Sequence, residues 1–401
     1  MKDLAALPDA HLRRFSRPPL PSPDQLRDVY LIGICGTGMG SLAGLLQQAG
    51  YRVRGADQAA YPPMSTRLRE MGIEVLEGYD AAHLEPAPDL VVVGNTCVPT
   101  HPEAAAAREK GLAQCSLPEA LAHFFIRDRR SLVVAGTHGK TTTTGMLVHV
   151  LRSAGIDTGF LVGGVLTGDG RSYDVGTAPY FVVEGDEYDS AYFDKRPKMM
   201  HYRPQSAIIT SMEFDHADIY DDWDDYREAF QHFAATVPQG GLLALSDSPD
   251  VRALADHTDA RVRFFGLDTN SEVTARDVRP AEGGQRFTLV QEGEAVADVF
   301  LPMSGRHNLR NALAVCTVAL DEGIAPDAIA EGLASFQGMK RRQEIRGEAG
   351  GVLVLDDFAH HPTAVRETVR AIRERWPARR LVAVFEPRSN SSRRKVFETA
   401  Y

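Results

Sequence analysis

The chain has no C-x-x-C pair, and its four cysteines, Cys35, Cys97, Cys115 and Cys316, are scattered through 401 residues. Neither a cysteine zinc site nor a disulfide framework is indicated, and a reducing, cytoplasmic setting is expected. Basic residues are not in excess: 44 Lys and Arg face 54 Asp and Glu, a net charge of −10. That argues against a nucleic-acid partner, which is bound by displacing counterions with a basic surface. No run of about 18 apolar residues occurs, and the N-terminus lacks an apolar stretch before a small-residue cleavage site, so neither a membrane span nor export is expected. An Asn-Lys-x-Asp guanine reader is also absent.

What is present centres on residues 131–147, SLVVAGTHGKTTTTGML. The apolar run Leu132–Ala135 reads as a buried strand, broken by Gly136-Thr137-His138-Gly139. Lys140-Thr141-Thr142 then opens a helix running to about Arg152. Such a junction builds a triphosphate site. Glycines let backbone N–H groups approach phosphate, the helix N-terminus adds positive potential, Lys140 reaches the β/γ oxygens and the Thr141 hydroxyl suits Mg²⁺. Two residues separate the glycines, where the common pattern has four.

Residues 1–28 are proline-rich and charged and read as a surface extension. From 29 to about 128 a Rossmann-like domain is expected. The strand Val29–Ile32 enters Gly33-Ile-Cys-Gly36-Thr37-Gly38-Met39-Gly40-Ser41, with a helix from Leu42 to Ala49. Ser41 replaces the third glycine of the dinucleotide fingerprint. A second strand ends at Asp57, about 20 residues on, where dinucleotide folds place a ribose ligand. NAD is the default ligand of such a turn.

The central domain, 129–340, continues with the strand Tyr180–Val183, which delivers Glu184 and the acids Asp186, Glu187 and Asp189. An acid at a strand end beside a phosphate loop is where a Mg²⁺ ligand belongs. Ser206–Thr210 leads to Glu213, Asp215 and His216 in the same way. A hairpin is expected from Arg286–Val290 and Ala297–Leu301 across Gln291-Glu-Gly-Glu. His307, Asn308 and Asn311 share a helical turn after Gly305; they are capping candidates, and base recognition is an alternative. A third unit, 341–401, starts at Arg341-Arg342. It is expected to contain strands at Gly351–Leu355 and Leu381–Phe385, with a helix to about Trp376 between them. Alternating elements imply parallel pairing, and the short third unit implies an incomplete domain and a chain with little activity of its own.

GTHGKTTT at 136–143, VEGDEYD at 183–189, EFDHAD at 213–218, GRHNLRNA at 305–312, Arg341-Arg342 and DDFAHHPT at 356–363 together resemble the ATP-dependent Mur ligases of peptidoglycan synthesis. The resemblance spans residues 29–401. It implies an α/β chain of three domains: a Rossmann-like UDP-sugar-binding domain, a central P-loop ATPase-like domain and a C-terminal Rossmann-like domain, here incomplete. The first domain's glycine turn then holds a UDP-sugar diphosphate in place of NAD. GICGTGMG and DDFAHHP resemble the branch acting on UDP-N-acetylmuramate itself, which attaches either L-alanine or the recycled tripeptide L-alanyl-γ-D-glutamyl-meso-diaminopimelate. VEGDEYDSAYFDKRPKMMHYRP at 183–204 and EPRSNS at 386–391 look like the tripeptide-adding member.

Carried over position by position, the resemblance gives Lys140, Glu184, His216 and Arg342 catalytic roles. ATP meets Gly136–Thr142, His307, Asn308, Asn311 and Asp357. Thr141, Glu184 and His216 hold Mg²⁺, although an imidazole is an unusual ligand for so hard a cation. Gly36, Thr37, Gly38, Met39 and Asp57 bind the UDP-sugar, while His360, His361 and Arg388 receive the peptide. Two other classes compete on parts of this pattern. A P-loop regulatory switch has no use for a second nucleotide site, and an NAD-linked oxidoreductase leaves Lys140 and Glu184 unexplained.

Overall fold

The computed structural model describes residues 3–216 and 219–386. Its first unit is a parallel sheet of β1 (Asp28–Ile32), β2 (Arg52–Asp57), β3 (Glu74–Glu77), β4 (Leu90–Val93) and β5 (Gln114–Ser116), in the order 3-2-1-4-5. The short α1 (Ala10–Arg13) precedes it, and α2 (Thr37–Gln48), α3 (Met64–Glu70), α4 (Pro102–Glu109) and α5 (Leu117–Leu121) connect or follow the strands. Val29–Ile32 and Leu90–Val93 are unbroken apolar runs buried on both faces, as central parallel strands covered by helices must be. Strand order reverses between β1 and β4, which opens a crevice at their C-terminal ends. The glycine turn after β1 lies there.

That turn differs from expectation in one respect. The helix starts at Thr37 and not Leu42, so Gly36 is its N-cap and Gly38 and Gly40 lie in its first turn. A Cβ on Gly40 would run into the Met64 side chain, and one on Gly44 into the Tyr173 ring. Close packing at these points compensates for the poor helix propensity of glycine. Ser41, at the departure from the dinucleotide fingerprint, shares a buried 3.0 Å hydrogen bond with Ser172 of the central unit.

The N-terminal stretch, expected as a surface extension, is a strap anchored on the first and central units. Phe15 stacks on Tyr192 at 6.3 Å and meets Phe193 edge-on at 5.9 Å, and Arg17 forks the Glu119 carboxylate at 2.9 and 3.0 Å. Arg13 donates to the Tyr192 carbonyl at 3.0 Å, and Leu26 is fully buried. Phe15 and Leu26 supply the apolar anchors that the surrounding prolines obscure in the sequence.

The central unit is a ten-stranded sheet. In chain order it contributes β6 (Arg130–Ala135), α6 (Lys140–Ser153), β7 (Gly159–Leu161), β8 (Tyr173–Asp174) and β9 (Tyr180–Gly185), then a small antiparallel pair, β10 (Asp189–Ala191) and β11 (Asp194–Pro197). β12 (Ser206–Ile209), α7 (Trp223–Ala234), β13 (Leu242–Ser246), α8 (Pro249–Arg252) and β14 (Arg261–Phe265) follow. β15 (Val273–Ala281), β16 (Gly284–Gln291) and β17 (Glu294–Leu301) form an antiparallel edge, and α9 (Arg306–Asp321) and α10 (Pro326–Ser335) return to cover the sheet. The expected hairpin is β16–β17; β15, polar and carrying Pro280, was not anticipated. Strand order runs 17-16-15-14-13-12-6-9-7-8, so β6 sits between β12 and β9, parallel to both.

In the third segment β18 (Glu344–Ala349) pairs antiparallel with β19 (Val352–Asp356), the strand expected at 351–355, and α11 (Pro362–Arg375) follows; the parallel pairing expected between 351–355 and 381–385 is not formed among the described residues. Gly350 and Gly351 both have positive φ, 58° and 77°, which a two-residue hairpin turn requires. Among the described residues no strand forms at 381–385, where Val382 and Val384 are 69% and 96% exposed.

Candidate active site

Because β12, β6 and β9 are adjacent and parallel, the loops leaving their C-terminal ends meet at one edge of the sheet, where open α/β folds place their sites. β6 supplies the phosphate loop, β9 supplies Glu184, and β12 supplies Ser211 to His216. Gly139 caps α6 with φ 82°, and a Cβ there would come within 2.5 Å of Asn311 Oδ1, so α9 is packed directly against the loop.

Lys140 Nζ donates to the Gly136 carbonyl and to Glu187 Oε2, each at 2.7 Å. Glu187 is 1% exposed, and its other oxygen lies 3.3 Å from His216 Nε2. Burial disfavours both charges, yet Lys140 and then His216 hold the Glu187 carboxyl down at about 2. In the other direction Glu187 and Asp186 outweigh burial and raise the Lys140 pKa. Lys140 is therefore locked as an ammonium in a nearly dry site.

Glu184 behaves in the opposite way. Burial, and next the neighbouring Asp186, push its carboxyl up to about 7 against the Gly163 amide, Lys140 and Arg342. Its Oε1 accepts from Gly163 N at 2.7 Å and its Oε2 from the Thr141 hydroxyl at 3.2 Å. Arg342, reaching in from the third segment, donates Nη2 to the same hydroxyl at 3.2 Å. Burial lowers the Arg342 pKa, and Asp357 and Glu184 oppose that. Thr141, Glu184 and Arg342 thus meet at one hydroxyl, and Lys140 and His216 meet at Glu187.

The other expected site residues are placed as follows. The Thr137 hydroxyl donates to the Glu213 carbonyl, and His138 Nε2 lies 2.8 Å from Glu213 Oε2. Thr142 is buried in the first turn of α6, and Gly136, with φ 128°, lets Ser211 and Thr210 approach. Asn308 and Asn311 are buried under the loop. Asn308 donates to the Ser304 carbonyl at 2.9 Å, and Asn311 donates to Asn308 at 3.4 Å. His307 turns toward the third segment, with Nε2 3.2 Å from Gln343 Nε2 and a buried Nδ1 that has no hydrogen-bond partner among the described residues.

Asp357 is occupied as a loop staple, accepting from Gln343 N and Ala359 N at 2.8 Å each. Asp57 likewise accepts from the Cys35 and Gln58 amides at 2.8 Å, so it secures the first-domain turn itself. Gly36 and Thr37 are exposed, Gly38 is half-buried and Met39 is buried. His361 caps α11, and His360 lies beside Phe358. Arg388 falls outside the described residues.

Two acids matter more than the sequence suggested. Glu187 read as one member of a carboxylate cluster, yet it is the counter-ion of Lys140. Glu213 accepts from His138 and also from the Thr363 hydroxyl at 2.7 Å, joining the phosphate loop to the third segment. Neither role has a local signal, because both partners lie far away in sequence.

A glycine–Lys–Thr loop at the C-terminal edge of a parallel sheet is the arrangement of a nucleotide-binding protein, and comparison with known proteins gives the family. Models described as Mur ligase family catalytic domain, Mur ligase middle domain and Mur ligase glutamate ligase domain match residues 28–129, 134–319 and 341–400. The chain belongs to the Mur ligase family; it is an ATP-dependent ligase of the amide-forming kind. It is 42% identical over 369 residues to the Haemophilus influenzae UDP-N-acetylmuramate–L-alanyl-γ-D-glutamyl-meso-2,6-diaminoheptandioate ligase, covering 91% of this chain and 81% of that protein. It is 41% identical over 371 residues to the UDP-N-acetylmuramate–L-alanine ligase of Kineococcus radiotolerans, covering 90% and 76%. A crystal structure of a murein peptide ligase from Psychrobacter arcticus superposes with a TM-score of 0.78 at 39% identity, covering 91% of this chain and 79% of that one. Among the described residues no helix is long and apolar enough to cross a membrane.

Proposed function

We propose that this chain joins the tripeptide L-alanyl-γ-D-glutamyl-meso-diaminopimelate to the lactyl carboxylate of UDP-N-acetylmuramate, at the expense of ATP, in peptidoglycan recycling. The observation that carries the chemistry is the meeting of Glu184 and Arg342 at the Thr141 hydroxyl, next to Lys140 and its counter-ion Glu187. A carboxylate does not react with an amine at neutral pH, because the leaving group would be oxide. Phosphorylation by the γ-phosphoryl of ATP supplies a better one, and the peptide amine then displaces phosphate from the acyl phosphate.

Positioning and charge neutralisation dominate such a transfer. Lys140, kept charged by Glu187, neutralises β/γ oxygens, and Arg342 brings a second cation from the third segment. His307, with its buried Nδ1, meets the adenine at the start of α9, while Asn308 and Asn311 support the loop from below. The Gly36–Met39 turn presents helix-terminal amides to the uridine diphosphate. The peptide docks near His360, His361 and Arg388.

A hydroxyl and a carboxylate are hard oxygen donors, so Thr141 and Glu184 fit Mg²⁺, and a carboxyl poised near neutrality readily exchanges its proton for a cation. His216 is a weaker candidate, since its Nε2 is engaged by Glu187. Mg²⁺ bound there would neutralise charge on the transferring phosphoryl. We place the reaction in the cytoplasm, where ATP is available; all four cysteines are free thiols.

L-Alanine is the second reading, favoured by 41% identity to an L-alanine-adding relative. Comparing the two amines at equal concentration decides between them: the tripeptide should support much faster phosphate release than free L-alanine, and the reverse order would transfer the chain to the other branch. Release that ignores UDP-N-acetylmuramate would point to a plain P-loop NTPase.

A further inference from the structure

His138 stands on the phosphate loop, Glu213 follows β12, and His361 caps α11, so three distant parts of the chain bring one donor atom each within 4.8 Å of one another. His138 Nε2 lies 2.8 Å and His361 Nδ1 3.8 Å from the same oxygen, Glu213 Oε2, and the two imidazole rings are 4.8 Å apart. The other carboxylate oxygen is held by the Thr363 hydroxyl at 2.7 Å.

We propose that His138, Glu213 and His361 form a second cation site, separate from the Mg²⁺ ligands, which takes a zinc-class transition ion and fastens the third segment to the phosphate loop. Two imidazoles and one carboxylate are a ligand set of the zinc type, with a fourth position for water. Imidazole nitrogen selects zinc, cobalt, nickel or copper over the harder Mg²⁺. Ligand bonds of about 2.0–2.1 Å at tetrahedral angles put donor atoms roughly 3.4 Å apart, a separation bracketed by the 2.8 and 3.8 Å seen here. The ion would replace the His138–Glu213 hydrogen bond and the bond that His361 Nδ1 accepts from the Thr363 amide at 3.3 Å. Thr363 on the second carboxylate oxygen is the outer-sphere support that orients such a ligand.

The other His-acid group, Glu119, Asp194 and His201, is a contrast: Arg17 forks Glu119 and Arg196 forks Asp194, so cations already occupy it. The ion would bridge the segment carrying His361 to the loop carrying Lys140, so it should restrain the third segment whichever substrate the enzyme uses.

The test is titration of the chelator-treated 401-residue protein with Co²⁺ at neutral pH under saturating Mg²⁺. One tetrahedral Co²⁺ spectrum per chain is expected, displaced by Zn²⁺, lost in Glu213→Gln and in His361→Ala, and retained in Cys35→Ser and His201→Ala. Glu213→Gln is isosteric, and an unchanged melting temperature without metal verifies its fold. No tetrahedral spectrum in the wild type, or one surviving both ligand substitutions, overturns the site. Zn²⁺ should also slow tryptic cleavage at Lys340 in the wild type but not in Glu213→Gln; equal cleavage in both, with Co²⁺ bound, overturns the bridging role.

Discussion

The α6 and α2 N-termini are both strand–glycine–helix junctions, and they differ in what surrounds them. At α6 the loop is closed in by buried ionisable groups: Lys140 against Glu187, Glu184 with its raised pKa, and Arg342 from another segment. At α2 the surroundings are Met64, Leu117 and an Asp57 that secures its own turn, and Gly36 and Thr37 face solvent. Holding a diphosphate needs little beyond backbone amides and a helix end. Moving a phosphoryl group needs fixed charges already in place in a low-dielectric pocket, where they act most strongly on developing charge.

The sharpest way to break this contrast is Lys140→Ala. Ligation should fall by about a thousandfold or more, as loss of a preorganised charge costs several kcal/mol of transition-state stabilisation. UDP-N-acetylmuramate binding, measured by calorimetry, should be nearly unchanged. The substitution also strands Glu187, and breaking a buried pair costs roughly 3–5 kcal/mol. Thermal stability should therefore drop and recover in part in Lys140→Ala/Glu187→Gln. Unchanged turnover in a folded variant would sink the assignment.

Next in size is Arg342→Ala, expected to reduce kcat by about a hundredfold while sparing UDP-sugar affinity. Lys should rescue it only partly, since an ammonium lacks the planar fork of a guanidinium. An equal effect on both sites would mean that the third segment supports the whole chain and not the phosphoryl site.

The Glu184 carboxyl titrates near 7, above its ordinary range, so the folded state holds a proton that the unfolded state has lost between about 4.5 and 7. Stability from this group is full below that window and declines as pH rises through it. Glu184→Gln should flatten the decline in a melting series from pH 5 to 8. In the wild type, apparent Mg²⁺ affinity should weaken as pH falls below 7, because the ion must displace the proton. A pH-independent Mg²⁺ requirement would separate Glu184 from the cation.

The smallest effect belongs to the strap. Arg17 and Glu119 are 30% and 17% exposed, and Arg17→Ala should cost about 1 kcal/mol in denaturant unfolding, with ligation kinetics unaltered. A large kinetic change would give the strap a part in setting the first two units against each other.

Local chemistry determined what could be read without coordinates. The apolar runs at Leu132–Ala135 and Val91–Val93 announce buried strands, and Gly139-Lys140-Thr141 announces a phosphate site, because those properties reside in consecutive residues. The spaced motifs likewise carried the family. Backbone glycines with positive φ were only partly legible: Gly350-Gly351 signalled a hairpin turn that alternation of strands and helices masked. Tertiary structure decided the rest. It brought β9 and β12 to either side of β6, gave Lys140 the counter-ion Glu187 from 47 residues away, turned residues 3–27 into a strap and left 381–385 without a strand. Pairings of that kind depend on strand order and burial, and the energy of a buried charge depends on which partner reaches it.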